Sequence, residues 1–221
     1  MIKAAIFDMD GVIVDSEGLV SKSFEVLIKR RGKTPIFYEN GVIQAIGLGH
    51  EIYHTVFKER HKIDENIEDL IKERREIFWQ LFDKEGVVVM PGFFELVALL
   101  KKKKIKLGVA SNTNLNAVLK VLKKIKAFDY FDQLVSGENV KNYKPSPDIY
   151  IEAAKRLKVE AQDCLVIEDT EVGVEAGRKA EMKVVAIPNK YTKHQNFQKA
   201  NLVINSFSEL TWNMIEALSL I

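Results

Sequence analysis

The chain has 221 residues, of which 47% are hydrophobic and 29% charged, with 12 Gly and 5 Pro; this is a globular composition that excludes disordered, collagen-like and disulfide-stapled classes. Lys and Arg number 33 against 31 Asp and Glu, and the net charge of +2 makes no global case for nucleic acid or an anionic membrane as partner. The length allows one large domain, or a core with a smaller insertion.

Residues 2–7 form a short apolar run that reads as a buried strand. It meets Asp8 too soon for a signal peptide or a membrane span, so neither export nor a membrane partner is expected. From 16 to 86 the periodicity is helical only, over 19–31, 51–60 and 67–82, with turns marked by Gly32, Pro35, Gly41, Gly47 and Gly49. Strand character returns at Val87–Met90, ahead of the Pro91-Gly92 turn. From there strands over 106–110, 133–136, 164–167, 184–187 and 202–204 accompany helices over 93–103, 114–125, 147–157 and 171–180. Such alternation predicts an α/β fold, a doubly wound, Rossmann-like parallel sheet built from 1–15 and 87–221. The block 16–86 is then an all-helical cap inserted after the first strand. Lysines 101–104, 106, 120, 123, 124 and 126 fall mostly at helix ends, where cations suit the negative pole of the dipole, and read as solvated surface. The lone cysteine, Cys164, closes no internal disulfide and makes no thiolate zinc site, which points to a reducing cytoplasm.

The first strand runs into Asp8-Met9-Asp10-Gly11. In extended geometry residues two apart share a side, so both carboxylates face one way, at the strand end where parallel sheets bind ligands. Such a pair can hold Mg²⁺ and divide nucleophile and acid–base roles, with Gly11 letting backbone N–H groups approach a ligand; taken alone, it is equally a polar turn. Ser111 and Asn112 follow the 106–110 strand and lead into a helix start, as anion holders or as caps. Lys144, in Lys144-Pro145-Ser146-Pro147-Asp148, follows the 133–136 strand, either presented by its prolines or lying in a solvated loop. Glu168-Asp169-Thr170 follows the 164–167 strand, as adjacent acids at its mouth or as a cap. Gathered at one sheet edge, cation, anion and nucleophile make sense as one phosphoryl-transfer site.

The ordered set Asp8-Met9-Asp10-Gly11-Val12, Ser111, Lys144-Pro145 and Glu168-Asp169 resembles the four motifs of the haloacid dehalogenase superfamily, from residue 2 to about 187. Asp15-Ser16-Glu17, the helical insertion and Gly173-Val174-Glu175-Ala176 resemble the subgroup that contains β-phosphoglucomutase and small phosphatases. The resemblance implies that Asp8 is a nucleophile that becomes an aspartyl phosphate, and that Asp10 protonates the leaving group and then activates water. It implies phosphate holding by Ser111 and Lys144, and Mg²⁺ held by Asp8, the Asp10 carbonyl and Asp169, with Glu168 as a further ligand or an outer partner. Asp10 argues against true dehalogenation, whose branch lacks an acid there.

Mutases of this subgroup carry a His shortly after the Asp-x-Thr/Ser element and an Arg in the first cap loop; here those positions hold Val20 and His50. Without an Arg fork for a second phosphate, hydrolysis of a small phosphorylated metabolite by a monomer is expected, with a sugar-phosphate mutase as the alternative. Ser16, His50 and Glu51 are expected on the cap near substrate. His50-Glu51-Ile52-Tyr53-His54 also spells a zinc-peptidase motif, but the elongated pattern fails at Phe57 and Arg60, with His61 one residue out of place, and a third ligand would come from Glu73 or Glu76 in another variant. A phosphate-accepting receiver domain is a third class, disfavoured because the acceptor here lies on the first strand and is followed by a cap.

Overall fold

The structure is a computed structural model that describes residues 1–35 and 50–220, with 50–54 described as helical backbone alone. In chain order, β1 (Ala4–Phe7) and β2 (Val14–Asp15) lead into α1 (Glu17–Arg30), α2 (His50–Arg60) and α3 (Ile67–Glu85). Then come β3 (Val88–Val89), α4 (Phe93–Lys102), β4 (Lys106–Ser111), α5 (Leu115–Lys124), β5 (Gln133–Ser136) and α6 (Asp148–Leu157). The chain closes with β6 (Cys164–Glu168), α7 (Glu171–Lys179), β7 (Lys183–Ala186), β8 (Leu202–Val203) and α8 (Trp212–Leu218). Two compact units result, one from Met1–Val14 with Val89–Ile221, the other from Asp15–Val88.

The first unit is a six-stranded sheet in the order β5-β4-β1-β6-β7-β8, parallel at every pairing. This is the doubly wound α/β core that the alternation predicts. β1 is all apolar and fully buried because helices cover both of its faces. Ala4 and Ile6 point into a cluster with Tyr150 and Ala153 of α6 and Val174 of α7, while Phe7, one residue out of phase, meets Phe93, Phe131 and Phe207 at ring separations of 5.8, 5.9 and 6.4 Å. The strand order reverses at β1: β4 and β5 lie on one side, β6, β7 and β8 on the other. A crevice opens at the carboxyl ends of strands at such a switch point. Phe7 is level with Val109 and Ile167, so Asp8, Ser111 and Glu168 all emerge at that edge.

The helix starts resolve the capping alternatives. Asn114 caps α5 by accepting from Ala117 N–H at 3.0 Å, and Thr170 caps α7 by accepting from Gly173 N–H at 3.1 Å. Ser111 and Asn112 therefore stand ahead of the cap, and Asp169 is released from capping. Lys101 and Lys102 fall in the last turn of α4, and Lys123 and Lys124 in that of α5, as the dipole argument requires. The fold adds aromatic contacts that the linear sequence hides, with Lys103 over Trp212 at 4.6 Å and Lys123 over Phe128 at 5.7 Å. The sequence pattern misses α8, too short to show a clear period, and the two-residue strand β2, while β3 falls within the stretch 87–90 where strand character is expected to return.

The second unit packs α1, α2 and α3 around Phe24, Leu27, Ile28, Phe57, Ile63, Leu70 and Ile77, with Val20 against them. Arg31 staples it: the guanidinium donates to Glu65 at 2.7 and 2.5 Å, to Glu73 at 2.7 Å and to the Leu27 carbonyl at 2.8 Å. Its hydrogen bonds hold the Glu65 carboxyl below the usual 4.5. Burial pushes Glu73 up, but Arg31 and Arg30 outweigh it and leave Glu73 lowered too. Arg31→Ala is expected to destabilise this unit by about 1–2 kcal/mol at neutral pH, since Glu65 and Glu73 are partly solvent-screened. Both folded-state values lie below the unfolded one, so the contribution is present above about pH 4.5 and is lost as pH falls through the lowered values. Urea titrations of both proteins at pH 7 and pH 3 read this as a gap that closes in acid.

Candidate active site

Asp8 leaves β1 with its N–H bound to the Ile167 carbonyl at 3.0 Å, which extends the β1–β6 ladder by one residue and aims the carboxylate across the sheet edge. Lys144 meets it there. Its ammonium donates to Asp8 Oδ1 at 2.5 Å, to Glu168 Oε1 at 2.7 Å and to the Ala110 carbonyl at 3.0 Å, with only 4% of the side chain exposed. The lysine is thus a buried cation at the centre of the site rather than a solvated loop residue. The Lys144–Pro145 peptide is cis.

Glu168 is the buried anchor of this arrangement. Oε1 accepts from Lys144 and, at 2.6 Å, from the Tyr150 hydroxyl; Oε2 accepts from Asp169 N–H at 3.0 Å, Thr170 N–H at 3.3 Å and Thr170 Oγ1 at 3.1 Å. The start of α7 crosses so close to this carboxylate that a Cβ on Gly173 would lie 1.9 Å from Oε1. Both Glu168 oxygens are thereby committed to orienting neighbours. The Lys144 ammonium also sits 4.9 Å from the Tyr150 ring centroid.

Asp169 turns its Oδ2 to Asn189 Nδ2 at 2.7 Å, and the same amide reaches the Gly11 carbonyl at 3.3 Å. Gly11, at φ 82°, is required here twice over, by its left-handed backbone and because a Cβ would stand 2.2 Å from Asp169 Oδ2. Its own N–H is not offered to a ligand, because it donates to the Val14 carbonyl at 2.8 Å. Asp10, two residues past Asp8, accepts at Oδ2 from Thr113 Oγ1 at 3.0 Å and from Ser111 Oγ at 3.4 Å. Asn112 Oδ1 accepts from Lys144 N–H at 3.4 Å and so ties the loop after β4 to the lysine loop.

Electrostatically the site is loaded. Burial pushes the Asp8 carboxyl above its ordinary value; Lys144 opposes this, while Glu168 and Asp10 reinforce it. Burial acts against the Lys144 ammonium, but Asp8 and Glu168 overcome it and hold the lysine charged. The Tyr150 hydroxyl is pushed far up by burial and by Glu168, so it serves as a fixed donor. Among the described residues, the carboxylates of Asp8, Glu168 and Asp169 each offer an oxygen within 4.8 Å of the others. Together with Asp10 they outnumber the one ammonium, that of Lys144, which pairs with Asp8 and Glu168, and they make an oxygen-rich, anionic set that fits a hard divalent cation.

Asp8, Asp10, Gly11, Ser111, Lys144, Glu168 and Asp169 thus gather at one sheet edge, with Asn112 joined to them through Lys144. Ser16 is the N-cap residue of α1 in the second unit. His50, Glu51 and His54 lie on α2, and their side chains lie outside the described residues. Glu73, one candidate third ligand of a zinc site there, is held by Arg30 and Arg31 at 3.0 and 2.7 Å. The sequence reading overlooks Thr113, Tyr150 and Asn189, whose roles come from contacts 18 to 178 residues away in the chain, which no local spacing encodes.

Comparison with known proteins agrees with this architecture. The model of the haloacid dehalogenase-like hydrolase family matches residues 5–187, and the chain belongs to that family. A phosphorylated carbohydrates phosphatase of Thermotoga maritima is 33% identical over 183 residues, covering 81% of this chain and 82% of that protein. Hexitol phosphatase B of Escherichia coli is 31% identical over 218 residues, covering 95% of each. The crystal structure of β-phosphoglucomutase from Clostridium difficile superposes with a TM-score of 0.80 at 29% identity, covering 99% of this chain and 97% of that one. The chain is therefore an enzyme of the phosphatase and β-phosphoglucomutase-like subgroup of this family. Among the described residues no helix is long and apolar enough to cross a membrane.

Proposed function

We propose that this protein is a Mg²⁺-dependent phosphatase that hydrolyses a small phosphate monoester, a sugar phosphate or similar metabolite, through an aspartyl phosphate on Asp8. The observation that carries the reading is the buried Asp8–Lys144–Glu168 arrangement, with Asp10 two residues from the nucleophile. The relatives that act on phosphorylated carbohydrates and hexitols by name support the substrate class. Asp8, Asp169 and the Asp10 carbonyl are the groups that would hold Mg²⁺, with Glu168 keeping Lys144 and the 169–170 backbone in place. Bound there, the ion would supply positive charge to phosphoryl oxygens that the carboxylates otherwise repel.

The steps follow from the residues. Lys144 favours the charged form of Asp8 against burial, and the Asp8 carboxylate turns one oxygen to phosphorus. Attack by that oxygen forms the Asp8–phosphorus bond while the ester P–O bond breaks. The electron pair goes to the leaving oxygen, which takes a proton from the Asp10 carboxyl. Ser111 and the Lys144 ammonium bind the equatorial oxygens. In the second step water gives its proton to Asp10 and attacks phosphorus, which releases inorganic phosphate and restores the Asp8 carboxylate. The helical unit serves as the cap that selects the alcohol and excludes bulk water.

A panel of phosphate monoesters assayed by phosphate release tests this. Turnover with millimolar Mg²⁺ and a loss of about 100-fold or more on chelation with EDTA are expected; silence on every ester with Mg²⁺ refutes it. The likeness to β-phosphoglucomutase favours a second reading, in which β-glucose 1-phosphate and glucose 6-phosphate interconvert with a bisphosphate primer. Against it, the mutase His is replaced by Val20, which packs on the apolar core of the helical unit.

A further inference from the structure

Two hydroxyls from the loop after β4 reach the same oxygen of Asp10, and they are not equivalent. Ser111 Oγ makes the longer contact, 3.4 Å, and accepts from Thr113 N–H at 3.1 Å. It stands at the buried end of β4, where an incoming phosphoryl oxygen, carrying charge, competes for its proton. Thr113 Oγ1 makes the shorter contact, 3.0 Å. Its backbone is tied down on both sides, the N–H to Ser111, the carbonyl to Gly137 N–H at 3.4 Å, and the next residue is the cap of α5.

We propose that Thr113 is the positioning residue for Asp10, a role that rests on the reading of Asp10 as the acid–base group. Carboxylate χ2 is a soft, two-fold torsion, so the two oxygens of a lone Asp exchange places easily. A hydroxyl that donates to Oδ2 breaks that symmetry. The unprotonated, carbonyl-type oxygen of a carboxyl is the better acceptor of an O–H, so donation to Oδ2 favours the acid proton on Oδ1. Oδ1–H then transfers to the leaving oxygen as the ester P–O bond breaks, and in the second step the water proton returns to Oδ1. Ser111 turns to the phosphoryl group when substrate binds, while Thr113 stays with Asp10 through both transfers. One loop thus supplies a hydroxyl for the phosphate and another for the acid.

The test compares kcat/KM for phenyl phosphate and p-nitrophenyl phosphate in wild type, Thr113→Val, Thr113→Ser and Asp10→Asn. Nitrophenolate departs with little protonation, whereas phenolate depends on the acid, so a displaced acid lowers the phenyl to p-nitrophenyl ratio. A fall of about fivefold or more in Thr113→Val, with Thr113→Ser within about twofold of wild type, is expected. Thr113→Ala is read in the same way where the Val variant does not fold. An equal loss on both esters, or an unchanged ratio in Thr113→Val while Asp10→Asn lowers it, overturns the role of Thr113 alone. An unchanged ratio in Asp10→Asn overturns the acid–base reading of Asp10. A wild type inactive on both esters overturns the hydrolytic reading, and this inference with it.

Discussion

Asp8→Asn is expected to abolish turnover, lowering kcat by a factor on the order of 10³–10⁵, while leaving the fold intact and raising its melting temperature in EDTA. On the proposed mechanism the activity loss follows from removing the oxygen that forms the covalent bond, for which the amide has no substitute. The gain in stability follows from the electrostatics. Burial, Glu168 and Asp10 all disfavour a charge at this position, and Lys144 offsets them only in part. A neutral side chain of the same shape removes that conflict, and Lys144 keeps Glu168 and the Ala110 carbonyl as partners at 2.7 and 3.0 Å. A rise of about 2–4 °C corresponds to roughly 1 kcal/mol in a protein of this size. A variant that keeps more than about a tenth of wild-type kcat excludes Asp8 as the nucleophile, and a melting temperature below wild type means that Lys144 favours Asp8 more than burial opposes it.

Lys144→Met is expected to act in the opposite direction on stability and in the same direction on activity. Methionine fills the aliphatic part of the volume beside the Tyr150 ring, so packing is largely kept. The carboxylates of Asp8 and Glu168 lose the ammonium between them, and removal of one member of a buried ion pair costs about 3–5 kcal/mol. Urea denaturation at pH 7 measures it. Turnover falls by about 10²–10³-fold through loss of the cation that holds phosphate oxygens beside a carboxylate. A destabilisation below about 1 kcal/mol indicates that the carboxylates take up protons or counterions at no cost and that the lysine is a surface pair in effect. Arg is a poor replacement, because a planar fork does not reproduce a point charge with three converging acceptors.

The sheet was legible because its strands are buried on both faces. β1, β4 and β6 are short apolar runs, β4 after its first residue, with no competing period, and each meets a charged or hydroxyl residue, Asp8, Ser111 or Glu168, where the chain reaches the sheet edge. The same logic made Asp8, Ser111 and Glu168 readable as neighbours, since strand ends in one parallel sheet must meet. Lys144 was legible only by its place after β5, and its burial was not, because nothing local distinguishes a loop lysine in water from one between two carboxylates. Tyr150 shows the limit more sharply. Within α6 it is one more apolar-face residue, and only the packing of that helix against β4, β5 and β1 turns its hydroxyl to Glu168. Asn189 and Thr113 are likewise ordinary turn residues in the sequence, and their partners come from other strand ends. Glu168 was legible as an acid at the site; that its two oxygens are spent on five donors was not.

The insertion point has a consequence for how such an enzyme diversifies. The helical unit leaves the core after Val14 and rejoins it at Val89, and the segments flanking these points, β2 and β3, pair with each other. Among the described residues, the hydrogen bonds given above for Asp8, Asp10, Lys144, Glu168 and Asp169 join groups of Met1–Val14 and Val89–Ile221. A module whose ends lie side by side can be lengthened, repacked or exchanged without reopening the sheet. On the proposed reading, in which the helical unit selects the alcohol, mutation in Asp15–Val88 explores new alcohols while the phosphoryl chemistry of the sheet unit is inherited unchanged, so that the two properties are separately heritable within one gene.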